Sequence, residues 1–191
     1  MVAIDIGCGA NKRNGFQGVD CVAYPGVDHV VDFAQEPLPF PDRSVDHVYS
    51  AHCLEHLTSF HHLFREIGRV CKDGAKIEII TPYAWSNDAF ILGHVAFLTE
   101  LVWQHLCVHY PDDWKNSLGG RWLLNEITYI VAPDVKDEMA RQGIPMAFAL
   151  RYLKNVALEF RVDIEYRVDM NAQRQPVINY SHSREGERFP I

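Results

Sequence analysis

Short apolar runs, each closed by a glycine, a proline or a polar residue, dominate the first eighty residues of the chain. Runs of about four to eight mostly apolar residues between turn formers are typical of buried strands. The pattern predicts strands at Val2–Ile6, Gly18–Asp20, His29–Asp32, Val45–Ser50 and Ile77–Ile80.

One helix is predicted between the last two of these strands. From Ser59 to Cys71 the apolar residues recur at a spacing that places them on one helical face. We expect Gly74 to end this helix, because glycine readily adopts the left-handed conformation that closes helices. Strands that alternate with helices or crossing loops predict an α/β protein with a mostly parallel sheet.

The chain changes character after Pro82. Residues 83–121 are rich in aromatic side chains and histidines. Two longer strands are predicted at Trp122–Val131 and Val156–Val168, with a short helix at Val135–Arg141 between them. From Asn171 the chain is polar and aperiodic, which is typical of a flexible tail.

Charge and cysteine usage narrow the class of protein. The formal net charge is −7 at pH 7, and binding that depends on neutralising phosphates needs clustered Lys and Arg. The composition therefore favours a small-molecule partner over nucleic acid. The five cysteines form no C-x-x-C pair, and neither a signal peptide nor a run of 18 apolar residues is present. We expect reduced thiols, a cytoplasmic location and no membrane association.

The candidate chemistry begins at the end of the first strand, in Asp5-Ile6-Gly7-Cys8-Gly9. Glycines at this place let the backbone turn sharply and approach a ligand closely. A lone G-x-G is a weak signal, but Asp20 and Asp32 close the next two strands, where carboxylates can accept protons from ribose hydroxyls and an adenine amino group. The three features in this order predict a nucleoside-type ligand.

A set of motifs in residues 2–82 resembles the class I S-adenosylmethionine-dependent methyltransferases of the type-11 kind. They are Ile4-Asp5-Ile6-Gly7-Cys8-Gly9, Gly18-Val19-Asp20, Val31-Asp32-Phe33, Leu38-Pro39-Phe40-Pro41-Asp42, Val45-Asp46-His47-Val48, Leu54-Glu55-His56, Arg65-Glu66-Ile67-Gly68-Arg69-Val70 and Lys72-Asp73-Gly74. The resemblance implies a Rossmann-like, seven-stranded, mostly parallel sheet with an antiparallel last strand. It also implies an aromatic-rich helical cap inserted after strand 5.

The resemblance further implies S-adenosylmethionine as cofactor and a role for each motif residue. Gly7, Cys8 and Gly9 would lie against its methionine part, with Asp5 anchoring the loop or the amino group. The remaining implied contacts are Asp20 with the ribose, Asp32 with the adenine, Phe33 on or beside the adenine ring, and Ser50 and His52 at the methionine and the acceptor.

The connection after the first strand departs from the usual pattern. Only Ala10–Gln17 separate the glycine loop from the second strand, so a short turn must replace the usual helix. A subgroup of predicted methyltransferases resembles the chain in this respect. The turn would leave the cofactor carboxylate open to Asn11 and to Lys12 or Arg13; a solvated surface loop is the alternative.

Within one domain, residues 1–191, the resemblance implies four parts. They are a cofactor-binding half (1–82), a cap and acceptor segment (83–121), the final strands (122–170) and a C-terminal tail (171–191). The aromatic residues of the cap fit an acceptor pocket, the core of the cap or a homodimer contact.

Methyl transfer requires alignment of the acceptor and, for a hydroxyl or ammonium group, loss of a proton. His52 and His94 are the candidate catalytic bases, because a histidine titrates near neutral pH. No metal is required, and none is expected. We expect an oxygen or nitrogen acceptor on a small or glycan-like molecule.

Two other functions compete with this interpretation. His52-Cys53-Leu54-Glu55-His56 matches H-x-x-E-H, a zinc metallopeptidase pattern that needs a continuous helix and a third ligand such as Glu126 or Glu138. A non-catalytic, cofactor-binding homologue is the other alternative. A nicotinamide dehydrogenase is disfavoured, because Lys12 stands where G-x-G-x-x-G has its third glycine.

Overall fold

The computed structural model describes residues 1–191 and contains one nine-stranded sheet in the order β3-β2-β1-β4-β5-β7-β6-β8-β9. The strands are β1 (Ala3–Ile6), β2 (Gln17–Asp20), β3 (His29–Val30), β4 (Val45–Ala51), β5 (Cys71–Pro82), β6 (Arg121–Ile130), β7 (Glu159–Arg167), β8 (Val177–Ser181) and β9 (Arg188–Pro190).

The first five strands run parallel, and β7 lies antiparallel between β5 and β6. The sheet is therefore mostly parallel with an antiparallel strand, as expected for a Rossmann-like methyltransferase fold. The predicted number of seven strands is wrong. Beyond the seven-strand core, β8 pairs parallel with β6, and β9 pairs antiparallel with β8.

The two extra strands come from the segment that has the composition of a flexible tail. Residues 177–181 add to β6, and residues 188–190 fold back on them. An edge strand needs little apolar content, because its backbone hydrogen bonds and a few half-buried side chains hold it. The polar composition of residues 171–191 therefore gave no sign of these two strands in the sequence.

Five helices accompany the sheet. They are α1 (His61–Val70), α2 (Glu100–Gln104), α3 (Pro111–Trp114), α4 (Pro133–Arg141) and α5 (Met146–Tyr152). A π-helical turn, His105–His109, follows α2 directly. Helix α1 is amphipathic and buries Leu63, Phe64 and Ile67.

Gly74 does not end α1, contrary to the prediction. The helix ends at Val70 and the chain enters β5 at Cys71 without a loop. Gly74 has a φ of 79° inside β5, where the pairing of β5 with β4 shifts register between Cys71 and Lys76. The glycine thus accommodates a strand irregularity.

The hydrophobic core lies between α1, the cap segment and the sheet. Trp103 and Trp122 are fully buried, and the Phe64 ring lies 6.0 Å and 5.1 Å from their rings. Burying side chains of this size contributes about 1.5–3 kcal/mol each. Phe64, Trp103 and Trp122 therefore belong to the hydrophobic core. Trp85 is half exposed and does not belong to it.

The opposite face of the sheet is polar. Its acidic residues are matched by arginines in the ion pairs Arg13–Glu78, Arg161–Asp163 and Arg188–Glu126. The guanidinium of Arg13 also lies 4.3 Å from the centre of the Tyr49 ring. The connection after β1 rests on this face through Arg13.

No helix of the protein is both long enough and apolar enough to cross a lipid bilayer.

Candidate functional site

A glycine turn follows β1 at the carboxyl edge of the sheet. Gly7 and Gly9 have φ values of 70° and 53°, in the left-handed region that favours glycine. The Gly7 amide donates a hydrogen bond to the Val19 carbonyl at 2.8 Å, which ties the turn to β2. No helix lies between Ile6 and Gln17, as the short spacing requires.

The two glycines meet different surroundings. A Cβ atom on Gly7 would lie 2.4 Å from the Cys53 Sγ, whereas a Cβ on Gly9 would meet no atom within 4 Å. Gly7 is therefore packed against the segment after β4, and Gly9 borders open space. A ligand can approach the Gly9 backbone directly.

Asp20 lies beside the glycine turn at the end of β2. Its Oδ2 accepts a hydrogen bond from the Gly9 amide at 2.8 Å, and its Oδ1 accepts one from the Val22 amide at 2.9 Å. A carboxylate can accept about four hydrogen bonds. The Asp20 carboxylate, though buried, therefore keeps acceptor capacity at the edge where the turn is open.

The Asp5 and Ser50 side chains hold the glycine turn in place by hydrogen bonds to its backbone. The Asp5 carboxylate accepts a hydrogen bond from the Arg13 amide at 2.7 Å, and burial raises its pKa. The Ser50 hydroxyl donates to the Ile6 carbonyl at 2.9 Å. Both side chains thus satisfy backbone groups of the loop, and Asp5 takes the loop-anchoring alternative of its two expected roles.

Cys8 is a buried thiol within the turn. Burial raises its pKa to about 11, and the nearby Asp5 and Asp20 act in the same direction. The thiol is therefore protonated at neutral pH and contributes shape, not a nucleophile.

Asp32 and Phe33 lie just beyond β3. The Asp32 carboxylate accepts hydrogen bonds from the Ala34 backbone amide at 3.2 Å and from the Gln35 side-chain amide at 2.8 Å. It therefore closes a local turn. Phe33 is 4 % exposed and packs in the core. Phe33 therefore offers little surface for stacking on the adenine ring, and a place beside that ring stays a prediction.

The basic residues of the short connection are already paired. Lys12 Nζ lies 2.7 Å from Asp28 Oδ2, and Arg13 pairs with Glu78. A cofactor carboxylate would have to compete with these acids for either cation, so its pairing with Lys12 or Arg13 stays a prediction. Asn11 is exposed, and its amide closes the turn by donating to the Cys8 carbonyl.

His52 follows β4 and is held by two carboxylates. Its Nε2 lies 2.8 Å from Glu159 Oε2, and its Nδ1 lies 3.2 Å from Glu55 Oε1. These contacts, Glu159 first, raise the pKa of His52 to about 9. The ring is protonated at neutral pH and cannot accept a proton there. These contacts oppose a general-base role for His52 near neutral pH, and that role stays a prediction.

Glu159 and Arg184 belong to the site although sequence reasoning missed them. Arg184 donates to both Glu159 oxygens, at 2.8 Å from Nε and 2.9 Å from Nη2. Burial opposes ionisation of Glu159, but the hydrogen bonds from His52 and Arg184 prevail and lower its pKa to about 2. Such pairs between distant segments have no local sequence signal.

His94 lies in the loop after β5, against the turn Leu54–His56. The His94 and His56 rings are 4.9 Å apart and nearly perpendicular. The Val95 amide donates to the Glu55 carbonyl at 2.8 Å, which fastens the loop to the turn. The structure thus brings His52, Glu55 and His94 together, next to the glycine turn that contacts Cys53.

The helix required by the zinc metallopeptidase pattern is absent. His52 has a φ of 53°, and only Leu54–His56 form a short 3₁₀ turn. His52 and His56 therefore do not share one helical face. The proposed third ligands are engaged elsewhere, Glu126 with Arg188 and Glu138 with Arg141.

A large cavity beside the cap does not coincide with the glycine turn. It has a volume of about 640 Å³ and lies between the start of α1 and the cap, with Phe60, His105 and Trp114 among its lining residues. None of its lining residues belongs to residues 5–56. The glycine turn, shaped by its backbone and by Asp20, is the better guide to a nucleoside site.

The residues at the turn fit an adenosyl cofactor. The Gly9 backbone faces open space, and Asp20 offers unused acceptor capacity beside it. These are the features that a ribose and a methionine chain need, a close backbone approach and a carboxylate for hydroxyl groups.

A protein-family model described as a methyltransferase domain matches residues 10–79. The match contains Asp20, Asp32 and the segment from β4 through α1, and it begins directly after Gly9. Comparison with curated protein sequences gave no significant match.

Solved structures of similar fold support the architecture. An S-adenosylmethionine-dependent methyltransferase from Archaeoglobus fulgidus shares 18 % identity and a TM-score of 0.62, with 85 % of each chain covered. A putative methyltransferase in complex with the Haloferax volcanii Trm112 activator has 17 % identity and a TM-score of 0.54, over 87 % of this chain and 82 % of that one. Geranyl diphosphate C-methyltransferase from Streptomyces coelicolor A3(2), solved with S-adenosyl-L-homocysteine, has 16 % identity and a TM-score of 0.51, over 86 % and 72 %.

The identities are low, so these structures establish the fold, and the family model adds a similarity over residues 10–79. The strand order and the glycine turn with Asp20 are those of a Rossmann-like methyltransferase fold, and residues 10–79, which include Asp20, are similar to a methyltransferase domain.

Proposed function

We propose that the protein transfers a methyl group from S-adenosylmethionine to an oxygen or nitrogen of a small or glycan-like acceptor. The observation that carries the proposal is the junction of two groups of residues at the carboxyl edge of the sheet. The glycine turn contacts Cys53 through Gly7, and His52, Glu55 and His94 surround the same segment.

We assign the cofactor to the turn and to the acids beside it. Gly7, Gly9 and Asp20 would hold the methionine and ribose parts, and Asp5 would keep the loop in shape. Asn11, Asp32 and Ser50 stay predicted contacts. When bound, the cofactor supplies an electrophilic methyl group on a positively charged sulfur, and the protein has to place the acceptor in line with it.

The acceptor side combines charge with apolar surface. His52, held as a cation between Glu159 and Glu55, supplies positive charge beside an electron-rich group of the acceptor. Nearby, Phe90 and Phe97 stack at 4.9 Å and are about half exposed, on the same loop as His94. This surface suits an acceptor that has an apolar part as well as a polar one.

His94 is the remaining source of a lone pair for the acceptor proton. Its Nδ1 is buried and has no hydrogen-bond partner. A hydroxyl or ammonium acceptor must lose its proton for the nitrogen or oxygen to attack, and the His94 lone pair can take it directly or hold a group that does. Either role predicts loss of turnover in a His94→Ala variant.

The formation of S-adenosylhomocysteine tests the proposal. The purified protein would be given S-adenosylmethionine with separate panels of phenols, sugars, amino sugars and small amines, and with RNA, DNA and a protein mixture. We expect S-adenosylhomocysteine to form with a small acceptor. For His94→Ala we expect kcat to fall by a factor of about 100 or more. The exposed His109 of the cap gives the matched control, His109→Ala.

Transfer to RNA, DNA or protein alone would contradict the proposed acceptor class. Binding of the cofactor without transfer to any panel would favour a non-catalytic homologue. An unchanged kcat in His94→Ala would remove His94 from the reaction.

A further inference from the structure

Three potential metal ligands converge beside the proposed acceptor site. One donor atom from each of Glu55, His56 and His94 lies within 4.8 Å of the other two. Glu55 and His56 come from the 3₁₀ turn after β4, and His94 comes from the loop after β5. The Val95 and Ala96 amides both donate to the Glu55 carbonyl, so the backbone holds the two segments together.

The Glu55 carboxylate is buried without adequate partners. The residue is 2 % exposed, and neither carboxylate oxygen accepts a well-aligned hydrogen bond. Its one charged neighbour, His52, lies 3.2 Å from Oε1 and is shared with Glu159. Buried polar groups are nearly always satisfied, and an unpaired buried charge is costly. The Glu55 Oε2 atom therefore lacks a positively charged partner, and a bound cation would be one.

Each of the two histidines can offer one ring nitrogen to this cluster. His56 Nδ1 lies 3.1 Å from the Gly93 carbonyl. A carbonyl only accepts hydrogen bonds, so His56 Nδ1 carries the proton and Nε2 keeps its lone pair in the neutral ring. Metal-binding histidines are commonly oriented in this way by a backbone carbonyl. The buried His94 Nδ1 has no partner at all.

We propose that Glu55, His56 and His94 bind one divalent ion of the zinc class. Two imidazoles and one carboxylate are a known ligand set for Zn²⁺, whereas Mg²⁺ and Ca²⁺ prefer oxygen ligands throughout. Ligand atoms around tetrahedral zinc are about 3.4 Å apart, so ligand atoms that now lie within 4.8 Å of one another have to draw closer by at most about 1.4 Å on binding. Three protein ligands leave a coordination position open for water or for an acceptor atom.

The ion site is independent of the glycine turn and shares no ligand with it. A bound ion uses the His94 lone pair, so His94 then acts on the acceptor through the ion. Metal binding is measured without any methyl transfer. Failure of the ion site therefore leaves the proposed methyl transfer standing, and failure of transfer leaves the ion site testable.

Calorimetric titration with zinc tests the site. The protein would be stripped with a chelator, dialysed and titrated with Zn²⁺, with Mg²⁺ in a separate titration. We expect one equivalent of Zn²⁺ to bind, no comparable binding of Mg²⁺, and at least 100-fold weaker binding in His94→Ala and Glu55→Gln. Substitution with Co²⁺ should give the visible absorption of a tetrahedral site.

Control variants separate this site from other zinc ligands. His105→Ala and His109→Ala remove cap histidines, and Cys21→Ser removes the exposed thiol; all three should bind zinc as the parent does. Circular dichroism would establish folding of the Glu55→Gln variant, and His94→Ala, on a loop, is the second test if that variant unfolds. No zinc binding by the parent, or equal binding by folded His94→Ala, would overturn the proposal.

Discussion

Asp20 accepts a hydrogen bond from the backbone amide of Gly9 at 2.8 Å, so the end of β2 and the glycine turn after β1 form one unit. The same carboxylate accepts from the Val22 amide, which fixes its orientation. A side chain that both shapes the turn and faces the open Gly9 backbone is suited to hold a ribose.

An Asp20→Ala substitution should weaken binding of S-adenosylhomocysteine at least tenfold. The variant loses a charged acceptor, whose hydrogen bonds are worth roughly 1.5–3 kcal/mol each. Calorimetry of the folded variant measures the change. The control variant Asp113→Ala removes an exposed acid of the cap and should bind like the parent. Equal affinities for the parent, Asp20→Ala and Asp113→Ala would exclude Asp20 from the site.

Gly7→Ala should destabilise the protein more than Gly9→Ala. Both positions have positive φ, which costs an alanine roughly 1–2 kcal/mol. Only the Gly7 Cβ would also collide with Cys53. Urea unfolding should therefore rank parent, Gly9→Ala and Gly7→Ala in decreasing stability. A Gly7→Ala variant as stable as Gly9→Ala would show that the segment at Cys53 moves aside without a loss of folding stability.

Acid should weaken the contribution of Glu66 to stability. The Glu66 carboxylate accepts hydrogen bonds from Arg69 and from the Leu38 amide. Arg69 is the main cause that lowers the pKa of Glu66 below its ordinary 4.5. The stabilisation is therefore present above pH 4.5 and is lost as the pH falls through the lowered pKa.

A Glu66→Gln variant should be less stable than the parent at pH 7, by about 1.5–3 kcal/mol, and the difference should shrink toward pH 3. Denaturant unfolding at the two pH values measures it. Glu36→Gln, at an exposed position, provides the comparison. A difference that stays constant with pH would contradict the assigned role of the Glu66 charge.

Arg184→Ala should loosen the turn between β8 and β9 without unfolding the domain. Arg184 holds this turn to Glu159 at the start of β7. Half-exposed ion pairs contribute only about 0–1 kcal/mol, so the melting temperature should change little. Hydrogen exchange of the amides in residues 182–187 should become several-fold faster, and Arg141→Ala on α4 should leave it unchanged. Unchanged exchange in Arg184→Ala would show that strand pairing alone holds the turn.

Local sequence patterns predicted the parts of the fold that local patterns control. The strands β1, β2, β4 and β7 followed from short apolar runs and from alternation, as at Phe160, Val162 and Ile164, which are all buried. The glycine turn followed from its composition. Helix α5 was missed, because Met146–Tyr152 is short and follows Pro145 without a clear apolar stripe.

Long-range relationships were beyond the reach of such patterns. The contact of Arg184 with Glu159 joins residues 25 positions apart, and the contact of His52 with Glu159 joins residues 107 positions apart. The pairing of Lys12 with Asp28 likewise depends on how two loops meet. Side-chain partners of charged residues are fixed by the folded geometry, so the sequence did not reveal the acids that pair with Lys12 and His52.

Calorimetric titration of the parent protein with S-adenosylmethionine and S-adenosylhomocysteine decides whether the glycine turn is a cofactor site. We expect each compound to bind with a stoichiometry of one, and NAD to give no comparable binding. A folded protein that binds neither sulfur compound would contradict this expectation.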